Sequence, residues 1–173
     1  ISGSDIIWHD HPLCYGKPGI CGDRIGNIMV QNSDLLIVLG TRLSIRQVSY
    51  AYDLLAPKAY KVMVDIDQAD LMKPTLNIDM PVHANLSEFI DKLSMAVEKR
   101  DDMPDFAEWR IWGRNIESKL PTLVDDNPSI PGYVNSYIFA DELFKQLVEG
   151  DVCVTGNGTA YTCTYQAMKV NKG

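Results

Sequence analysis

The sequence predicts an α/β protein: a Rossmann-like parallel sheet followed by the incomplete start of a second α/β domain. Leu35 to Leu39 is an unbroken apolar run that stops at Gly40. Such a run, bounded by turn residues, suits a strand buried on both faces. Val62 to Ile66 repeats the pattern, with Asp65 and Asp67 at its carboxyl end. That is where open α/β sheets bind ligands. Helical patterns between these runs predict right-handed βαβ units on a parallel sheet.

The elements follow in order. Ile1 to Asp23 is rich in Gly, Pro and His and reads as irregular, and Arg24 to Asn32 as a short helix leading into the first strand. Ile45 to Leu55 has a helical period, with Val48, Ala51, Tyr52 and Leu55 on one face, and Pro57 ends it. The second strand is Val62 to Ile66. Asp67 to Met72 is a helical turn stopped by Lys73-Pro74, and a third strand is expected at Pro81 to Ala84. Asn85-Leu86-Ser87-Glu88 resembles a capping box, opening a helix with Phe89, Leu93, Ala96 and Val97 on its apolar face. Asp101 to Tyr133 brings Pro104, Pro121, Pro128 and Pro131, many charges, and one helix around Trp109 and Trp112. It reads as a connection that packs on something, with both tryptophans as packing residues. Tyr137 to Val148 is a helix, Asp151 to Thr155 a strand, Gly156 to Thr159 a tight turn, and Ala160 to Met168 the start of another helix. The resulting division is 1–100, a central domain incomplete at its front; 101–135, a linker; and 136–173, the beginning of a further domain.

Bulk properties narrow the function. Of 173 residues, 46% are apolar and 23% charged, ordinary for a globular protein. A formal net charge of −7 argues against nucleic acid and anionic membrane as partners. No apolar stretch approaches the length of a membrane span, and no signal peptide is visible. The first residue is Ile1, which leaves room for a leader or whole domains ahead of it. Cys14, Cys21, Cys153 and Cys163 include no C-x-x-C pair and read as reduced thiols of a cytoplasmic protein. His9, His11, Cys14 and Cys21 fit no familiar zinc spacing, and His83 reads as a core or edge histidine.

A family resemblance rests on residues across the chain. Gly19, Gly22, Gly26-Asn27 and Gln31 lead into Ser33 to Gly40 and Arg42, followed by Val64 to Leu71, Lys73-Pro74 and Pro81 to Ala84. This pattern resembles the central domain of thiamine-diphosphate-dependent enzymes, most of all that of acetolactate synthase large subunits and related 2-oxo-acid decarboxylases. The C-terminal piece is similar to the start of the same family's diphosphate-binding domain. The resemblance implies a longer, oligomeric parent that uses thiamine diphosphate and Mg²⁺ on a small 2-oxo acid such as pyruvate. It implies decarboxylation followed by carboligation. The family's activating glutamate and G-D-G metal motif have no counterpart here, Gly156-Asn157-Gly158 being a different sequence. The chain alone is therefore expected to be inert, with no catalytic residue and no metal ligand. A simple 2-oxo-acid decarboxylase, and a non-catalytic Rossmann-like nucleotide-binding module of the deacetylase type, are the alternatives.

Two groups of candidate binding residues follow. Gly156, Asn157, Gly158 and Thr159 match the loop that borders thiamine diphosphate in the family. Glycines let backbone N–H groups approach a phosphate, and Asn and Thr add hydrogen bonds. The plain alternative is an ordinary strand-to-helix turn. Arg42, Asp65 and Ile66 match the residues along a flavin or adenosine in members whose central domain binds FAD or ADP. A guanidinium grips phosphate oxygens, and a carboxylate accepts from ribose or adenine. The alternatives are a surface ion pair for Arg42 and a cap of the next helical turn for Asp65 or Asp67. Ser44 stands where acetolactate synthases often carry Asp, and Asn85 where the family often has Asp. Cys21-Gly22-Asp23 stands where FAD-dependent members have His-Gly-Thr. FAD, ADP and an empty central domain all stay open.

Overall fold

The computed structural model describes residues 3–124 and 130–171, so Pro128 lies outside the described residues. The element order is α1 (Arg24–Asn32), β1 (Leu35–Leu39), α2 (Ile45–Val48), β2 (Tyr60–Asp65), α3 (Gln68–Leu71), β3 (Met80–His83), α4 (Leu86–Glu98), α5 (Ala107–Lys119), α6 (Ser136–Gln146) and α7 (Thr159–Ala167). Two compact units result: Ile28–Trp109, and Ile1–Asn27 together with Arg110–Gly173.

The first unit holds the expected sheet. Its strands are parallel in the order β1-β2-β3, with Val38 beside Met63 and Val64 beside Val82. Side chains alternate across a strand, so Leu36 and Val38 share one face and Leu35, Ile37 and Leu39 the other. Behind the first face lies the core: Val38, Leu43, Val48, Leu55, Ala56, Ala59, Met63, Leu71 and Leu76, with Val30, Leu36, Tyr52 and Ile78 packed against it. The other face is only partly covered. Leu35 is 52% and Ile37 41% exposed, and none of the α4 side chains is buried. The expectation that β1 is buried on both faces is corrected for this chain. An apolar run shows that a strand can be covered twice, but coverage needs a neighbour on each side.

Local chemistry sets the boundaries. Asn85 accepts from the Ser87 N–H at 2.9 Å and so caps α4, as its sequence suggests. The helix expected over Ile45 to Leu55 is broken into α2 and a single 3₁₀ turn at Tyr52–Leu54. Ser49 has φ 63° and interrupts it, and Leu43 and Ala56 also have positive φ. Such backbone costs a non-glycine residue about 1–2 kcal/mol, which the core contacts of Leu43 and Ala56 offset.

The second unit has no sheet among the described residues. Asp151 to Thr155, expected as a strand, is exposed and forms no ladder. A strand needs a partner to satisfy its N–H and C=O groups. Helices α6 and α7 pack on each other, burying Ala140, Phe144, Cys163, Tyr165 and Ala167. Asn135 caps α6 through the Tyr137 N–H at 2.9 Å.

Candidate functional site

In the sheet unit, the carboxyl ends of β1 and β2 present the first group of candidates. Gly40 continues β1 and its N–H donates to the Val64 carbonyl at 2.9 Å, which places the Gly40–Arg42 turn beside the end of β2. Arg42 extends into solvent, its side chain 74% exposed, with only a 3.9 Å approach to Asp70. The Lys73 ammonium donates to the Arg42 carbonyl and also pairs with Asp70 at 3.7 Å. Asp65 is half-buried, and its Oδ1 accepts the Asp67 N–H at 2.9 Å. Asp67 in turn accepts from Ala69 and caps α3. The local turn thus uses one Asp65 oxygen. Ile66 is 69% exposed, and its carbonyl lies 2.9 Å from His83 Nε2. Arg42, Asp65 and Ile66 therefore share one rim of the sheet. An exposed guanidinium and a half-buried carboxylate on one rim suit an anionic, hydroxyl-bearing ligand.

The second group belongs to the other unit. Gly156, Asn157, Gly158 and Thr159 are exposed, and nothing lies within 4 Å of a Cβ added at either glycine. Gly158 is the N-cap of α7 with φ 68°, a conformation that favours glycine. No side chain caps the helix and no acid lies in its first turn. Its first N–H groups thus lack the side-chain partner that Asn135 gives α6. A diphosphate fits that donor set, because helix N-termini favour anions. Asn157 and Thr159 add an amide and a hydroxyl. Among the described residues, no group of three or more His, Cys, Asp or Glu is placed to hold a metal ion.

Residues outside the two candidate binding groups organise this second unit. Asp23 is buried, and its two oxygens accept the Gly26 and Lys17 N–H groups at 2.7 and 2.8 Å. Asn27 closes the same loop by bonding both the N–H and the carbonyl of Gly19. A Cβ at Gly22 would stand 2.0 Å from the Lys17 carbonyl, so only glycine fits there. The Lys17 ammonium donates to the Met168 carbonyl at 3.0 Å and lies 5.8 Å from the centre of the Tyr165 ring. Burial lowers the Lys17 pKa, against the raising effect of Asp23. Burial raises Asp23, against its two backbone donors. Burial, and the neighbouring Tyr161, push the Tyr165 phenol up to about 12. Gln166 accepts from the Tyr137 hydroxyl at 2.6 Å and donates to the Gly22 carbonyl at 3.0 Å. The glycines and Asn27 of the family pattern gave the one visible signal of this loop. Its partners on α6 and α7 lie too far along the chain for any motif to show.

The sequence matches a known family. Residues 1–93 match the thiamine pyrophosphate enzyme central domain. The chain belongs to the thiamine-pyrophosphate-dependent enzyme family. Among its relatives, it is 28% identical to the acetolactate synthase isozyme 1 large subunit of Escherichia coli over 94% of this chain and 27% of that protein. It is 34% identical to an acetolactate synthase of Mycobacterium bovis over 94% of this chain and 26% of that one. It is 30% identical to a probable acetolactate synthase large subunit of Methanococcus aeolicus over 76% of this chain and 23% of that one. The chain thus spans about a quarter of the length of these relatives. No helix among the described residues is long and apolar enough to cross a membrane.

Proposed function

We propose that this chain is part of a thiamine-diphosphate- and Mg²⁺-dependent enzyme that decarboxylates a 2-oxo acid and joins the product to an acceptor, as the resemblance to acetolactate synthases implies. The observation that carries this is the likeness to an acetolactate synthase over 94% of the chain, which takes in both the strand-end rim and the Gly156–Thr159 loop. Residues 1–100 act as the central domain, 101–135 as the connection and 136–173 as the start of the cofactor domain. The full protein is cytoplasmic, works as a homo-oligomer, and takes a small 2-oxo acid rather than nucleic acid or membrane.

When bound, thiamine diphosphate supplies the carbanion stabilisation that decarboxylation needs. The chain's own contribution is to hold the diphosphate. The first-turn N–H groups of α7, the Asn157 amide and the Thr159 hydroxyl would donate to phosphate oxygens. The metal ligands and the activating carboxylate come from elsewhere in the protein, so residues 1–173 alone turn over no substrate. At the sheet rim, FAD or ADP would place its phosphates at Arg42 and its adenosine along Asp65 and Ile66.

The test is pyruvate consumption and product analysis on the full-length protein, with thiamine diphosphate and Mg²⁺ added or removed. Cofactor-dependent formation of a carboligated acid supports the reading. Release of an aldehyde alone makes it a simple decarboxylase, and no turnover on any 2-oxo acid removes it. Flavin release and adenine-nucleotide titration decide the rim. If a nucleotide binds, Arg42→Ala should weaken it by about 1.5–3 kcal/mol, and Asp65→Asn by less.

A further inference from the structure

Residues 151–160 are exposed, whereas Cys163, Tyr165 and Ala167 farther along α7 are buried. Helix α7 is therefore held from its far end. Gln166 sits at the centre of that hold, accepting from the Tyr137 hydroxyl on the first turn of α6 and donating to the Gly22 carbonyl. A primary amide suits the place because one planar group accepts and donates at once. Gly22 is hemmed in by backbone, since a Cβ added there would stand 2.0 Å from the Lys17 carbonyl oxygen. Cys21 Sγ, one residue earlier, lies 4.0 Å from the Thr162 hydroxyl, and Lys17 fixes the Met168 carbonyl just past the helix. Between Gln166 and Thr159 runs hydrogen-bonded helix, about 10 Å at 1.5 Å per residue. Rotation fixed at Gln166 is therefore fixed at Thr159.

We infer that Gln166 is a positioning residue: by locking α7 to Tyr137 and Gly22 it aims the first turn of α7, and the Gly156–Thr159 loop before it, at a diphosphate. The inference deepens the thiamine-diphosphate reading and rests on it. Gln166 touches neither the loop nor the cofactor and acts through the helix.

Gln166→Glu tests it in the full-length protein. The side chain keeps its length and its acceptor, loses its donor, and sets a negative charge against the Gly22 carbonyl. Calorimetric titration with thiamine diphosphate and Mg²⁺ should show the dissociation constant rising about tenfold, with kcat at saturating cofactor unchanged. Tyr137→Phe, which removes one hydroxyl, should raise it about threefold. In the absence of cofactor, hydrogen exchange at the first turn of α7, including the Thr162 N–H bonded to Gly158, should accelerate in both variants. An unchanged dissociation constant in folded Gln166→Glu overturns the inference. If the wild type binds no thiamine diphosphate, the cofactor reading falls and exchange decides: faster first-turn exchange in Gln166→Glu keeps the positioning of α7, and equal exchange overturns it. If Gln166→Glu does not fold, Tyr137→Phe decides by the same two measurements.

Discussion

The two units of this chain are stabilised by different means. Ile28–Trp109 is built on a period: strands with apolar runs, helices between them, and Met63 completely buried at the centre. Ile1–Asn27 with Arg110–Gly173 is built on close backbone approach and polar locks: Gly22 on Lys17, Asp23 on two N–H groups, Gln166 on Tyr137 and Gly22. A periodic core tolerates small volume changes, because neighbours relax. A loop closed on its own backbone tolerates almost none. The two modes thus predict different mutational profiles in one chain.

The sharpest test is Gly22→Ala. Its methyl group would meet backbone atoms of Lys17, Pro18 and Gly19 at 2.0–2.8 Å, none of which is a flexible side-chain end. Destabilisation of about 4 kcal/mol or more is expected, seen as lost exchange protection in α6 and α7 with the β1–β3 amides still protected. Met63→Ala should cost about 3 kcal/mol through cavity formation and show the reverse exchange pattern. Joint loss of protection in both units in either variant breaks the comparison.

Two buried carboxylates sharpen it through pH. Burial raises Asp23 above the usual 3.8, so its charged form is disfavoured in the fold. Its contribution to stability is greatest below 3.8 and falls as pH rises through the folded value. Asp141 is lowered, chiefly by its hydrogen bond from Lys145 at 2.7 Å, with Lys169 at 3.2 Å adding to it. Its contribution is present above 3.8 and is lost as pH falls through the folded value. Urea unfolding across about pH 2 to 6 should therefore show opposite changes. Asp141→Asn should flatten the acid limb below the usual carboxylate value, and Asp23→Asn should remove a decline just above it. Equal behaviour of the two variants would mean that neither carboxylate titrates differently in the fold.

The smallest expected effect is that of Arg42→Ala. A solvent-exposed guanidinium at 3.9 Å from Asp70 contributes little, so stability should stay within about 0.5 kcal/mol of wild type by urea midpoint. A larger loss would show that the rim is structural and weaken its case as a ligand site.

The strands, α1 and the cap of α4 were legible because each is written in neighbouring residues. Leu35 to Leu39 and Val62 to Val64 carry their burial in their own composition, and Asn85-Leu86-Ser87 carries its turn. The break at Ser49 was not legible, since a non-glycine residue at positive φ is imposed by surrounding contacts rather than by its own preference. Asp151 to Thr155 has strand composition without a strand, because a ladder is a property of two segments. At the site, the sequence located Arg42, Asp65 and Ile66 on one strand-end rim, but not the Asp67 N–H that occupies one Asp65 oxygen. Lys17 and Gln166 were missed because their partners lie roughly 150 residues away along the chain.

The two edges of the sheet differ in what they offer a passing chain. β3 carries Pro81, which has no N–H to give, and ends in a histidine. β1 is five aliphatic residues without charge or proline, next to no other strand among the described residues on its outer side. Its face holding Leu35, Ile37 and Leu39 is exposed as well. An uninterrupted aliphatic edge of this kind is a template for intermolecular pairing. Handled as an isolated polypeptide, this sequence should form oligomers through β1 as concentration rises, and a lysine placed at Ile37 should suppress them at little cost to the sheet.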